Sequence, residues 1–149
     1  RLPVNSNVMS SNNENHNMKI KKIDHIGIRV MNWDISIPFY EQFGFVLTRK
    51  DDNEHVVVLE HPSGVVINLL DSGEDDNDNK NILMDVDELY PGYTHYSLEV
   101  ESVYDAKDYM ESAGIKITGG PITFGDGNTA IFIRDPDMNV IEFTEAKKT

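Results

Sequence analysis

The sequence predicts an α+β fold made of two tandem βαβββ modules. Three observations carry that expectation: an internal repeat, short alternating apolar strands in both copies, and an amphipathic helix in each copy that stops at glycine. Asp24-His25-Ile26-Gly27-Ile28-Arg29-Val30 aligns with Thr94-His95-Tyr96-Ser97-Leu98-Glu99-Val100, an offset of 95 − 25 = 70. The same offset carries Phe39-Tyr40-Glu41-Gln42-Phe43-Gly44-Phe45 onto Tyr109-Met110-Glu111-Ser112-Ala113-Gly114-Ile115. Self-similarity at a fixed spacing is the mark of a structural unit used twice.

Each element follows from local chemistry. The opening strand of each copy is the aligned seven-residue segment. The first helix is expected from about Asp34, with Pro38 near its first turn and Gly44 as its stop. The second has Ser102 as N-cap and Asp105 in the first turn, where the helix dipole favours an acid. Val103, Ala106, Met110 and Ala113 recur at helical spacing, and Gly114 supplies the C′ position. The copies close alike. His61-Pro62-Ser63-Gly64-Val65-Val66-Ile67-Asn68 lies over Asp135-Pro136-Asp137-Met138-Asn139-Val140-Ile141-Glu142, with offset 142 − 68 = 74. The second copy is therefore four residues longer, and the Gly119-Gly120-Pro121 and Gly125-Asp126-Gly127 segments are expected as the turns that absorb them. Val56–Leu59 and Ala130–Ile133 read as the preceding paired strands. The modules span 19–72 and about 90–146, joined by the acidic segment 71–89, within one domain over 19–149.

Composition sets outer limits. A chain of 149 residues with 39% hydrophobic content supports one buried core. No apolar run reaches the roughly 18 residues a membrane span requires. The absence of cysteine removes disulfides, thiolate zinc sites and thiol nucleophiles. A net charge of −13 argues against a nucleic-acid partner. A cytoplasmic location is expected. Residues 1–18, rich in Asn and Ser, read as a flexible arm without the apolar stretch of a secretory signal, and Met18 is a candidate natural start. His16 in that arm is given no role. Asp71-Ser-Gly-Glu-Asp-Asp-Asn-Asp-Asn79 reads as a solvated loop; its spacing lacks the distal Glu of an EF-hand calcium loop.

Strand parity brings the chemistry together. Ile26, Ile28 and Val30 share the face that packs on the helix, so His25, Gly27 and Arg29 point away from it. By the repeat, His95, Ser97 and Glu99 face the same way. On the closing strands Ile141 and Phe143 pack, leaving Val140, Glu142 and Thr144 opposite, and Asn68 is the first-copy counterpart of Glu142. Two imidazoles and a carboxylate suit zinc, nickel, iron, manganese or cobalt and leave coordination positions open for a substrate. Arg29 and Glu99 are repeat-equivalent (99 − 29 = 70) and are expected to pair as a salt bridge across the pseudo-twofold axis. The sharper alternative makes Arg29 an anchor for a substrate carboxylate or phosphate. His61, at the turn before Pro62, is read as a surface residue, and His55 as the start of a strand.

Ile23-Asp24-His25-Ile26-Gly27-Ile28-Arg29-Val30, with Phe39-Tyr40 and Gly44-Phe45, resembles the opening of vicinal-oxygen-chelate (glyoxalase-like) domains. Asp135-Pro136-Asp137-Met138-Asn139-Val140-Ile141-Glu142-Phe143 resembles their closing hairpin, which usually reads Asp-Pro-Asp-Gly-Asn before the liganding Glu. The resemblance covers about residues 20–146. It implies a cup-shaped mixed sheet with helices outside, a homodimer, and one divalent metal held by His25, His95 and Glu142. It further implies that Glu142 moves the proton while the metal stabilises an enediolate from a small substrate with vicinal oxygens. Arg29, Asn68, Ser97 and Glu99 are the candidate substrate-binding residues. Asn68 departs from the Glu common at that position in bacterial glyoxalase I; an amide is a weaker ligand and accepts no proton.

Other chemistries share the ligand set. Extradiol dioxygenases use two His and a carboxylate for iron(II), though with additional acid–base residues that have no clear counterpart here. Fosfomycin-resistance thiol transferases are similar around Tyr93-Thr94-His95-Tyr96, but Gly27 stands where they tend to carry a hydroxyl. A sequestering module without metal, like bleomycin-binding relatives, would suit a cationic ligand and would not require all three ligand residues.

Overall fold

The computed structural model describes residues 18–74 and 77–148. Residues 1–17 of the stretch read as an arm, and residues 75–76 of the acidic segment, lie outside them. The first module runs β1 (Ile26–Arg29), α1 (Trp33–Glu41), β2 (Val46–Asp51), β3 (Val56–Glu60) and β4 (Val66–Leu70). The second runs β5 (His95–Glu99), α2 (Val103–Ser112), β6 (Gly119–Thr123), β7 (Thr129–Arg134) and β8 (Val140–Glu145). Each module folds into a four-stranded sheet, in the orders β1-β4-β3-β2 and β5-β8-β7-β6. The opening and closing strands of each module are parallel neighbours, and the remaining pairs are antiparallel. This is the two-module α+β architecture expected from the repeat.

The helices begin and end where local chemistry directs. Asn32 caps α1 by accepting from Asp34 N at 2.9 Å, so the helix starts one residue before the expected Asp34, and Pro38 stands inside it, beyond its first turn. Ser102 caps α2 by accepting from Asp105 N at 3.1 Å. Gly44 and Gly114 both close their helices at positive φ, +93° and +77°, where any other residue is strained. One expectation fails. Gly119-Gly120-Pro121 is not a turn but part of β6, bulged where its register against β7 shifts between Gly119 and Ile122. Gly120 has φ +81°, and a Cβ there would lie 2.4 Å from the Ala130 carbonyl oxygen, so glycine here serves close strand approach. Gly127, at φ +88° with its N–H donating to Phe124 O, makes the expected turn.

The helical sides of the two sheets share one core. Val57, Leu59, Ile67, Leu69, Ile131 and Ile133 are completely buried in it, each contributing about 1.5–3 kcal/mol of transfer free energy. The modules meet through the Phe43–Phe143 ring pair at 5.6 Å and the Tyr109 hydroxyl, which donates to Gln42 O at 2.6 Å. Deeper still, the Tyr40 hydroxyl donates to Asp135 Oδ2 at 2.7 Å. With the helical faces so used, the opposite face of each sheet is left outward. His25 just before β1, Gly27 and Arg29 on it, and His95, Ser97 and Glu99 on β5 are exposed.

Candidate functional site

On β8, Glu142 stands opposite Ser97 of β5 on one side and Phe132 of β7 on the other. This register brings His95 Nε2 to 3.0 Å from Glu142 Oε1. The imidazole edges against the Phe132 ring at 6.0 Å, and its Nδ1 lies 2.9 Å from the Thr94 hydroxyl. The second carboxylate oxygen, Glu142 Oε2, accepts from the Thr144 hydroxyl at 2.8 Å, and Thr144 meets the Ser97 hydroxyl at 2.6 Å. Ser97, a candidate for substrate contact, is thus engaged in fixing Glu142 through Thr144. Sequence reasoning gave Thr144 no role, although it shares Glu142's face of β8, two residues along.

The first module repeats this arrangement with different side chains. Asn68 stands opposite Gly27 and Val58, in the place Glu142 takes opposite Ser97 and Phe132. His25, just ahead of β1, has its Nδ1 2.8 Å from Asp24 Oδ2, a hydrogen bond that lowers the pKa of the exposed Asp24 carboxyl. His25 does not join the other two predicted ligands. Among the described residues no three His, Asp or Glu side chains converge closely enough to hold a metal. The pair that does converge is well matched to a divalent ion. Donors on bonds of about 2.1 Å set at right angles are ~3.0 Å apart, which is the separation between His95 Nε2 and Glu142 Oε1.

The expected Arg29–Glu99 ion pair is absent among the described residues. Arg29 Nε donates to Ser72 Oγ at 2.9 Å. The two strands are edges of separate sheets, and each residue faces its own cavity. Arg29 lines one of about 810 Å3 together with His25 and His95, and Glu99 lines another of about 500 Å3. The other two histidines among the described residues make local contacts. His61 meets the Phe45 ring edge-on at 5.3 Å, and its Nδ1 accepts from Ser63 N at 3.0 Å, organising the turn before β4. His55, at φ +57°, precedes β3 and lies 3.2 Å from Asp71 Oδ1.

The sequence matches the Glyoxalase/Bleomycin resistance protein/Dioxygenase superfamily over residues 22–143. No curated protein matches the chain. Among solved structures, a virulence protein from Salmonella typhimurium is 27% identical, covering 87% of this chain and 99% of its own, with a TM-score of 0.62. A lactoylglutathione lyase from Agrobacterium tumefaciens is 20% identical, covering 86% of this chain and 96% of its own, with a TM-score of 0.63. A bleomycin resistance determinant encoded on the transposon Tn5 is 17% identical, covering 86% of this chain and all of its own, with a TM-score of 0.64. The last two likenesses speak for the fold alone. With two repeated modules, a paired His95 and Glu142, and a family match over most of its length, this chain belongs to the glyoxalase/bleomycin resistance protein/dioxygenase superfamily.

Proposed function

We propose that the protein is a metal-dependent, glyoxalase-like lyase or isomerase whose site is completed by a second copy of the chain. The observation that carries this reading is the His95–Glu142 contact of 3.0 Å, fixed from behind by Thr144 and Ser97. His95 and Glu142 would hold the ion, with His25 of a second copy as third ligand. A divalent ion so held supplies Lewis acidity to two adjacent oxygens of a small substrate. The Glu142 carboxylate would be the base that takes a proton from the carbon beside the carbonyl and returns it to the neighbouring atom. Asn68, an amide, would orient substrate without sharing in proton transfer.

The second copy is favoured by two further features. The outward faces of both sheets are open, and exposed apolar residues flank them: Ile23 is 79%, Leu89 91% and Tyr93 99% exposed. Apolar surface of this kind marks an association site.

Elemental analysis tests the metal, and mixed variants test the sharing. After incubation with nickel, zinc, cobalt, manganese or iron(II), about one equivalent per chain is expected, lost in His95→Ala and in Glu142→Gln. A site shared between copies predicts that His25→Ala and His95→Ala chains, refolded together in equal amounts, regain about a quarter of the wild-type metal, because half the dimers are mixed and each has one intact site. No regain would place the site within one chain. No metal in the wild-type protein with any of the five ions would overturn the catalytic reading and leave a ligand-sequestering module.

A further inference from the structure

Arg29 and Glu99, equivalent in the repeat, line two different cavities, and the charged residues of the two walls differ in sign. The smaller, beside β5 and α2, is lined by Glu99, Glu101 and Asp105 and by no lysine or arginine. The larger, beside β1, has Arg29 and Lys80 in its wall, and Arg29 occupies the repeat position that is Glu99 in the other. In a chain of net charge −13, two cations in one cavity go against the background.

Among the described residues no carboxylate lies within ion-pair distance of Arg29 or Lys80. Ser72 holds Arg29 by its Nε only, which orients the guanidinium and leaves its two terminal nitrogens to a ligand. Lys80 is near Asp85, but both oxygens of that carboxylate face Arg134, at 2.7 and 2.8 Å. The one acid in the wall, Asp137, is also occupied. Its Oδ1 accepts from Met31 N at 3.1 Å, and its Oδ2 accepts from Ser36 Oγ at 3.4 Å. The rest of the wall is largely apolar, including Ile26, Ile28, Leu83, Tyr93 and Val140.

We propose that this cavity binds a small organic anion, an apolar body with one carboxylate, sulfonate or phosphoryl head, received by Arg29 and Lys80. Apolar walls with a few placed polar groups are the usual form of such a site, and about 810 Å3 is ample for a two-ring molecule. The inference does not require metal. His25 and His95 also line this cavity, whereas Glu142 and Asn68 do not, so a test run in excess chelator separates the anion site from the reading of the metal site.

The test is a pair of fluorescence titrations in excess chelator, with 8-anilinonaphthalene-1-sulfonate and with its uncharged analogue N-phenyl-1-naphthylamine. The sulfonate is expected to bind the wild-type protein more tightly than the neutral dye. Arg29→Glu and Lys80→Glu should each weaken the sulfonate about tenfold while leaving the neutral dye within about twofold. Both positions are exposed, so the variants keep the fold, which circular dichroism checks. Glu101→Gln, in the other cavity, should change neither titration. Sulfonate affinity unaltered by both charge reversals, an equal loss of the neutral dye, or no sulfonate binding to the wild type would each overturn the proposal.

Discussion

Asp135 shows how much one side chain can organise. Only 3% exposed, its carboxylate accepts four hydrogen bonds: from the Tyr40 hydroxyl, the N–H groups of Asp137 and Asn139, and the Asn139 amide. Burial nevertheless pushes its pKa above the ordinary 3.8, against the pull of those donors. Removing the donor from the other module, Tyr40→Phe, should cost about 1.5–3 kcal/mol at neutral pH, because a buried charge loses a partner. The sign with pH follows. The native state holds this proton more tightly than the unfolded chain, so acidification through the range just above 3.8 favours the native state at this residue. The deficit of Tyr40→Phe should therefore shrink as pH falls toward 4, and urea unfolding of both proteins at pH 7 and pH 4.5 reads it. A constant or growing deficit would show that the hydroxyl does not act through the charged carboxylate. In the sequence Asp135 is legible only as the start of a turn. Its bond to Tyr40, 95 residues away, has no local trace.

At the scale of elements, local chemistry was readable and partnership was not. The cap, apolar face and glycine stop of α2 depend on neighbours within a few residues, and they stand as expected except that Ala113, read as part of the apolar face, is the exposed C-cap. Gly119-Gly120-Pro121 has the composition of a turn, yet it runs as a strand because β7 lies close enough to pair with it. The segment before β5 makes the same point. Nothing in its acidic composition indicates that Asp85 reaches across to Arg134 in a two-pronged pair, with Asn81 Nδ2 donating to Met138 O at 3.1 Å. That pair fastens the connection between modules to the end of β7. The hydrogen bond from Arg134 holds the Asp85 carboxyl down to about 2. Its contribution is thus complete above the unfolded-state value of 3.8 and is lost as pH falls from there through about 2. Asp85→Asn should cost about 1 kcal/mol at pH 7, the modest worth of a partly solvated bidentate pair, and nothing below pH 2. If the variant were as stable as the parent at pH 7, the connection would not depend on this contact.

For the molecule as a whole, the repeat was the most informative part of the sequence. It gave both modules, their strand parity, and the pairing of His95 with Glu142. It did not show that His25 stands apart, since parity fixes the face a residue takes and not which sheets meet. Nor did it show that Arg29 and Glu99 face separate cavities. Because the helical faces of both sheets lie in one core, the modules should unfold together. Calorimetry is expected to give a single transition with equal calorimetric and van't Hoff enthalpies; two resolved transitions would mean that each module has a core of its own. This shared interior also bears on how the two copies have drifted apart. Inward positions have stayed apolar in both: Ile26 with Tyr96, Ile28 with Leu98, Ile67 with Ile141. Apart from His25 with His95, outward ones differ: Gly27 with Ser97, Arg29 with Glu99, Asn68 with Glu142. A change on the inner side must be tolerated by both halves at once, whereas a change on the outer side is judged by one half only. Duplication thus left this chain with one surface that inherits and another that is free to invent.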